Sequence, residues 1–259
     1  MCIRDRGQEG YQLTWMDAKV GDWVVTPRQG KAVEVNALWY NALTAMSYFA
    51  ARLKRASESY EALAARVSQG FERFWNPATG CLYDVLDGPN GSDATIRPNQ
   101  IFALSLPDSP LAGAQRRGVL DVCGRLLLTS HGLRSLTPTD PAYIGKYAGD
   151  PHARDGAYHQ GTVWTWLLPH YALAYERVYG NREVALAMLD TFGDLIGAMG
   201  VGTLPELADG DLPHHPRGCI AQAWTVAEAL RAYHILATER RRARRTTVRS
   251  RAAEVVGRL

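Results

Sequence analysis

The sequence has no long apolar run and few cysteines, and both features narrow the class of protein. No stretch of about 18 apolar residues is present, so no membrane-spanning helix is predicted. The first residues also lack the apolar centre of a secretion signal. The four cysteines are scattered without a Cys-x-x-Cys pair, which disfavours a disulfide framework or a zinc site. We therefore expect a cytoplasmic protein that does not bind membranes.

Several nucleotide-binding and hydrolase signatures are missing as well. The sequence has no Gly-x-Gly-x-x-Gly, no phosphate-binding P-loop and no Gly-x-Ser-x-Gly elbow. Its histidines do not fall at the i, i+4 helical spacing of metal ligands, and no thiolate cluster accompanies them. These absences argue against a dinucleotide-dependent enzyme, a P-loop NTPase and a metalloenzyme.

Positive charge is concentrated at the C-terminal end. The chain has 29 Lys and Arg against 26 Asp and Glu, a net charge of +3. Residues 239–259 contain eight Arg and two Glu, so the remainder carries a net charge of −3. A nucleic-acid-binding domain needs its basic residues on a folded surface. We therefore predict no nucleic-acid partner and expect residues 239–259 to form a solvated basic tail.

Residues 1–6 do not resemble the start of a domain. Their sequence, Met-Cys-Ile-Arg-Asp-Arg, resembles adapter read-through at the edge of an assembled sequence. We expect this segment to be a non-native leader and residues 7–238 to form the folded portion.

Helical periodicity dominates the folded portion. Apolar residues recur at steps of three and four from Val35 to Leu53 and from Tyr60 to Phe74, which indicates two amphipathic helices. Further helices are predicted over 97–106, 119–126, 163–178, 188–199 and 220–236. We thus predict roughly seven helices in pairs, with almost no strand apart from a short one at 81–86.

Two long polar segments, residues 129–161 and 200–217, separate these helices. Loops of this length inside a compact domain are usually functional, so chemistry is expected on the loops. The helix pairs fit a bundle, a solenoid or a closed α/α toroid, and periodicity does not choose among them. The lack of a fixed-length repeat disfavours the solenoid.

Carboxylates flanked by aromatic residues stand out among the polar segments. Asp17 lies in Thr-Trp-Met-Asp, and Glu206 lies in Leu-Pro-Glu-Leu before the last predicted helix. Aromatic rings can stack on the apolar faces of sugars while polar side chains bind the hydroxyls. Glycoside hydrolysis then requires two carboxyl groups, one to protonate the leaving oxygen and one to activate water or attack the anomeric carbon. Each carboxylate also has a structural alternative, Asp17 as a cap and Glu206 as a solvated loop acid.

Five motifs, in order along the chain, resemble the C-terminal glucosidase domain of glycogen debranching enzymes, the amylo-α-1,6-glucosidase family. The resemblance runs from about Leu13 to Ala237. The motifs are Thr14–Asp17 with Thr26–Arg28, Val33–Asn41, Arg97–Gln100, Asp155–Trp164 and Arg217–Trp224.

The resemblance implies an all-α fold, an (α/α) toroid of the six-hairpin glycosidase type. It also implies inverting hydrolysis of α-1,6-linked glucose at branch points of a glycogen-like glucan. Six helix pairs need about twelve helices, whereas the sequence predicts roughly seven. We therefore expect an incomplete ring with exposed apolar helix faces and reduced or absent activity for this chain.

The resemblance places the general acid at Asp17 and the general base at Glu206. It also implies substrate-binding roles for residues around a glucose pocket, namely Trp15, Glu34, Arg97, Asn99, His159, Gln160, Trp164 and Trp224. Asp209 and Asp211 lie close enough in sequence to be the base instead of Glu206. Arg97 and His159 also fit purely structural roles.

The expected partner is a branched α-glucan or oligosaccharide, and this chemistry requires no metal or organic cofactor. The sequence does not indicate an oligomeric state. Two other functions stay open at this point, an α-toroid glycosidase of different linkage and a non-catalytic glucan-binding helical module.

Overall fold

The structure, a computed structural model, describes Tyr11 and residues 13–238 and is mostly helical. The predicted leader at 1–6 and the predicted basic tail at 239–259 lie outside the described residues. The helices are α1 (Val33–Arg52), α2 (Glu58–Phe71), α3 (Phe102–Ser105), α4 (Gly113–Leu126), α5 (Pro151–Gly156), α6 (Leu167–Tyr179), α7 (Arg182–Ala187), α8 (Thr191–Ala198) and α9 (residues 223–238). Two 3₁₀ turns, Glu72–Phe74 and Pro98–Ile101, follow α2 and precede α3. The helical scaffold predicted from periodicity is confirmed.

Short strands connect the helices. They are β1 (Lys19–Val20), β2 (Trp23–Val24), β3 (Lys31–Ala32), β4 (Trp75–Asn76), β5 (Cys81–Leu82), β6 (Val85–Gly88), β7 (Gly91–Asp93), β8 (Leu133–Arg134), β9 (Val163–Trp164), β10 (Leu207–Ala208) and β11 (Pro216–Arg217). β1 pairs with β2 and β4 with β5, while β3, β6 and β7 form a three-stranded sheet. The fourth sheet has the order β11-β10-β9-β8 and is antiparallel throughout.

Helix α6 lies at the centre of the main hydrophobic core. All of its residues from Leu167 to Ala174 are buried, and it packs against α3, α4 and α7. Burying one large apolar side chain contributes about 1.5–3 kcal/mol, so this helix holds its neighbours together. No helix within the described part of the chain is long and apolar enough to cross a membrane.

Two predicted helices differ from those observed. Val163 and Trp164 form β9 because they pair with β8 and β10, so the prediction of a helix starting at Val163 was wrong and α6 begins at Leu167. The helix predicted over 188–199 is observed as α8, Thr191–Ala198, and a turn separates it from the preceding α7, which ends at Ala187. The intervening turn contains i→i−3 hydrogen bonds, such as Leu189 N–H to Leu186 O at 2.9 Å, which tighten the backbone and end α7.

The two long polar segments are less irregular than predicted. Residues 129–161 contain β8 and α5, and residues 200–217 contain β10 and β11. The four-stranded sheet joins these segments through β9. Two-residue strands give almost no alternating pattern, so periodicity did not reveal this sheet.

Apolar side chains are exposed along one face of α1 and on α9, in line with the expected exposure of helix faces. Leu53, directly after α1, is 69% exposed, and Leu230 of α9 is 66% exposed. Leu38, Met46 and Phe49 of α1 are also exposed. Such a contiguous apolar face exceeds the scattered surface apolar residues that need no explanation.

A buried ion cluster joins the start of α1 to the turn between β5 and β6. The guanidinium of Arg28 donates Nη2–H to Glu34 Oε2 at 2.7 Å, and its Nη1 also contacts Glu34. On its other side it donates to both carboxylate oxygens of Asp84, at 2.6 and 3.0 Å. Burial opposes the charge of Arg28, but Asp84 and Glu34 outweigh that effect and raise its pKa. The cation is therefore held by two bidentate pairs.

Replacing Arg28 tests how much of the fold depends on this cluster. We expect Arg28→Met to lower the free energy of unfolding by about 3–5 kcal/mol, because Glu34 and Asp84 become buried charges without a cation. The matched change Arg73→Gln removes an exposed Arg–Asp pair with Asp87 and should lower it by about 0–1 kcal/mol. Denaturant unfolding of both variants measures the difference, and equal losses would contradict this interpretation.

Candidate active site

The loop before β1 presents Asp17 to solvent while its neighbours are anchored inside. Met16 and Ala18 are buried, and Asp17 between them is exposed. Trp15 packs edge-on against Trp164 and Trp166, with ring centroids 5.2 and 5.1 Å apart. Its indole N–H donates to Asn99 Oδ1 at 2.6 Å. These contacts fix the position of the predicted acid through its flanking residues.

The four-stranded sheet fixes the backbone of Glu206, the predicted base. Glu206 directly precedes β10, whose Leu207 pairs with Trp164 of β9. The hydroxyl of Thr165 donates to Glu206 O at 2.8 Å, and Glu206 N–H donates to Cys219 O at 2.9 Å. Both flanking segments therefore hold this residue in place.

Tyr158 is hydrogen-bonded to the predicted base and lies within electrostatic range of the predicted acid. Its hydroxyl donates a hydrogen bond to Glu206 Oε1, and Asp17 lies near enough to act electrostatically on the same hydroxyl. Burial, followed by the contact with Glu206, raises the pKa of Tyr158, so the phenol keeps its proton. Asp17 and Glu206, 189 positions apart in sequence, thus both lie in the surroundings of one tyrosine hydroxyl.

The two alternative bases have other partners. Asp209 is buried, and both of its carboxylate oxygens accept from Arg217, with Nη2 to Oδ2 at 3.0 Å. Asp211 is exposed and accepts from the hydroxyl of Tyr143 at 3.1 Å. Neither is bonded to Tyr158 in the described residues, whereas Glu206 is.

Several predicted substrate-binding residues lie behind the surface of the site. Glu34 is engaged by Arg28 in the buried ion cluster. Asn99 is fully buried and donates to Asp84 Oδ1 at 2.7 Å. Arg97 is also buried and donates to the carbonyls of Ser135 and His159 and to Gln160 Oε1. In this structure these side chains support the loops that carry the exposed residues.

His159 is enclosed by aromatic rings. It stacks on Trp164 with 5.1 Å between ring centroids and contacts Trp15 and Tyr158 edge-on or tilted. It is fully buried, and no described residue accepts from or donates to either ring nitrogen. Burial, and then the positive charges of Arg97 and Arg28, lower the pKa of His159 to about 3. The ring is therefore neutral at physiological pH.

Other predicted residues are closer to solvent. Trp224 is 45% exposed and stacks on the buried Trp166, with ring centroids 4.2 Å apart. Gln160 is half-buried, and Trp164 is buried beneath Trp15. Trp15 and Trp224 thus offer aromatic surface on either side of Trp166.

An open depression of about 480 Å³ lies beside Glu206. Its lining includes Tyr147, Arg154, Met199, Arg217 and Cys219. The size suits one or two sugar rings and their water. Among the described residues, no group of three or more His, Cys, Asp and Glu side chains is placed to hold a metal ion.

Sequence reasoning missed three contributors to the surroundings of Glu206. Tyr158 was inside a quoted motif but was not singled out, although its position next to two predicted residues was a signal. Cys219 N–H donates to Glu206 Oε2 at 2.8 Å, a backbone contact that no residue type reveals. Gly218 has φ +68°, and a Cβ there would lie 2.4 Å from Glu206 Oε2. The glycine itself was a signal readable in the sequence, since this residue type tolerates a left-handed backbone and has no side chain.

The amylo-alpha-1,6-glucosidase family model matches residues 2–231 of the chain. The chain belongs to this family. The resemblance carried by the five sequence motifs is therefore confirmed.

Solved structures confirm the fold of this family member. It is similar to a glycoside hydrolase family 63 mannosylglycerate hydrolase from Thermus thermophilus, with 19% identity, a TM-score of 0.58 and coverage of 78% of this chain and 45% of that one. It is also similar to the neutral trehalase Nth1 from Saccharomyces cerevisiae, with 16% identity, a TM-score of 0.56 and coverage of 82% of this chain and 39% of that one. A family 15 glucoamylase from Hypocrea jecorina is similar with 17% identity, a TM-score of 0.53 and coverage of 87% of this chain and 45% of that one. The chain has the architecture of part of a six-hairpin glycosidase toroid and spans less than half the length of these proteins.

The neutral state of buried His159 makes the stability of this glucosidase-family domain depend on pH. In the unfolded chain a histidine binds a proton below its ordinary pKa of about 6.5, whereas folded His159 does so only near pH 3. The unfolded state thus binds more protons in this interval, and the free energy of unfolding falls on acidification by about 1.4 kcal/mol per pH unit from this residue.

His159→Phe should remove this contribution while keeping an aromatic ring in the stack. We expect the variant to be as stable as the parent at pH 7, because no hydrogen bond is lost, and to lose less stability between pH 6 and 4. Denaturant unfolding across this range measures both slopes. Equal slopes would show that His159 is not held neutral.

Proposed function

We propose that this domain supplies the two catalytic carboxylates of an inverting glycoside hydrolase. Its substrate is a glycogen-like α-glucan, from which it removes α-1,6-linked glucose at branch points. The observation that supports this most directly is the hydrogen bond from the Tyr158 hydroxyl to Glu206, which lines an open depression, with Asp17 near enough to contribute to the raised pKa of the same hydroxyl. Membership of the amylo-alpha-1,6-glucosidase family supplies the linkage.

The two carboxylates have surroundings that suit different roles. Asp17 is exposed at the tip of its loop, where it can reach the oxygen of the leaving glucan and give it a proton. Glu206 accepts hydrogen bonds from Tyr158 and from Cys219 N–H, a setting for an ionised carboxylate that takes a proton from water. An inverting pair leaves room for that water, with about 6.5–9.5 Å between the carboxyl groups.

Nearby aromatic residues fit the binding of a sugar. Trp224 is 45% exposed, Trp15 is half-buried two residues before Asp17, and aromatic faces stack on the apolar sides of glucose. Arg154 provides a polar group in the lining of the depression beside Glu206. The combination of stacking surface, polar groups and two acids is more than a binding module requires.

The test is glucose release from a singly branched maltooligosaccharide. Any glucose that the parent chain releases, even at a reduced rate, should be the β-anomer, because inversion converts the α-linkage into the β-anomer. Asp17→Asn and Glu206→Gln should each lower kcat by about 10²- to 10⁴-fold, since each removes one proton-transfer group. Asp211→Asn is the matched control on a neighbouring exposed carboxylate and should retain kcat.

Other outcomes separate the alternatives. Release of α-glucose would overturn the inverting mechanism, and loss of activity in Asp211→Asn but not in Glu206→Gln would move the base. Release from linear maltotriose alone would indicate a glycosidase of different linkage. Binding of the branched oligosaccharide without any release, measured by calorimetry, would indicate a glucan-binding module.

A further inference from the structure

The hydrogen bonds to Glu206 distinguish its two carboxylate oxygens. Oε1 accepts from the Tyr158 hydroxyl and, at 3.5 Å, from the side-chain amide of Gln222. Oε2 accepts only Cys219 N–H, at 2.8 Å, among the described residues. A carboxylate has about two acceptor sites on each oxygen. The site left open for a further donor is therefore on Oε2.

Gly218 keeps the space beside Oε2 open. A Cβ at this position would lie 2.4 Å from Oε2, closer than real side-chain carbons approach. The residue also has φ +68°, a conformation that residues with side chains rarely adopt. The peptide at 218–219 thus approaches Glu206 with its N–H and without a side chain, and all three residues line the open depression.

Tyr158 itself is held rigidly. Its ring packs against Trp164 at 4.9 Å and Tyr147 at 5.4 Å between centroids. Its carbonyl accepts from the Trp164 indole N–H at 3.1 Å. Trp164 pairs with Leu207, the residue after Glu206. One strand register therefore sets the positions of both the Tyr158 hydroxyl and the Glu206 carboxylate. Such mutual support is typical of groups whose direction matters.

We propose that Tyr158 is a positioning residue for the catalytic base, whose hydroxyl holds Oε1 of Glu206 so that Oε2 receives the proton of the attacking water. The inference rests on the function proposed above. The proton balance is simple: water gives one proton to Oε2 as its oxygen bonds the anomeric carbon, and the leaving oxygen gains one from Asp17. Tyr158 keeps its own proton throughout, as its raised pKa requires.

A purely structural role is the competing explanation, because Tyr158 also fills space among aromatic rings. The two roles differ in what the hydroxyl does. A structural role resides in the ring and predicts that removing only the oxygen leaves turnover of the folded protein unchanged. A positioning role resides in the hydrogen bond and predicts a loss in kcat with unchanged packing.

Tyr158→Phe separates these roles. We expect kcat on the branched maltooligosaccharide to fall about 10- to 100-fold, the effect of losing one hydrogen bond to a charged group, with little change in KM or melting temperature. Tyr179→Phe is the matched control, since it removes a tyrosine hydroxyl that donates to the carboxylate of Asp121 at the surface, away from the site. That control should retain kcat.

A double variant gives a second readout. If Tyr158 acts through Glu206, adding Tyr158→Phe to Glu206→Gln should lower kcat no further, because the residues act as one unit. An additional loss equal to that of the single change would overturn the proposal. So would a lower melting temperature with unchanged kcat.

A measurement without turnover keeps this inference separate from the proposed function. High-resolution crystal structures of the parent and of Tyr158→Phe would show the Glu206 carboxylate directly. We expect one orientation in the parent and more than one in the variant. An identical single orientation in both would overturn the positioning role even if the enzyme is active. If the parent releases no glucose but the carboxylate becomes disordered in the variant, the proposed function fails and the orienting contact stands.

Discussion

The fold around the candidate site depends on one buried cation. Arg28 is paired on one side with Glu34, at the start of α1, and on the other with Asp84, beyond β5. Asp84 accepts from Asn99, and Asn99 accepts from the indole of Trp15, two residues before the predicted acid. A continuous set of charge-assisted and neutral hydrogen bonds thus runs from the helical scaffold to the acid loop. Partial satisfaction of such a buried network would be worse than an apolar core, so the loss of any one member destabilises the others.

The four-stranded sheet does for the predicted base what the ion cluster does for the predicted acid. It brings the segments around Tyr158, Glu206 and Cys219 side by side at the edge of the main core, to which Trp164 and Leu207 belong. Backbone pairing places these residues more accurately than free loops would, since every N–H and C=O involved has a fixed partner. The two predicted catalytic residues therefore lie on two small rigid frames attached to the helical scaffold.

The sequence revealed the helices well and the site unevenly. Helices such as α1 and α2 have long apolar stripes, so periodicity predicted them. In contrast, β9 and β10 have two residues each and pair with one another across more than 40 positions of sequence. The local sequence drew attention to Asp17 and Glu206 as candidate carboxylates, but their roles as acid and base came from family motifs. The burial of His159 was unreadable because a histidine among aromatic residues suits a pocket as well as a core. The contact between Tyr158 and Glu206 follows from a strand register that only the folded chain contains.

The shortness of β10 has a consequence for how this family can change. Side chains alternate between the two faces of a strand, so a shift of one residue in the pairing of Leu207 with Trp164 would turn Glu206 to the opposite side of the sheet. Insertions and deletions in residues 200–205 therefore leave Glu206 on the same side of the sheet only when the pairing of Leu207 with Trp164 is kept. The length of the loop can change, but the register in which β10 pairs with β9 cannot.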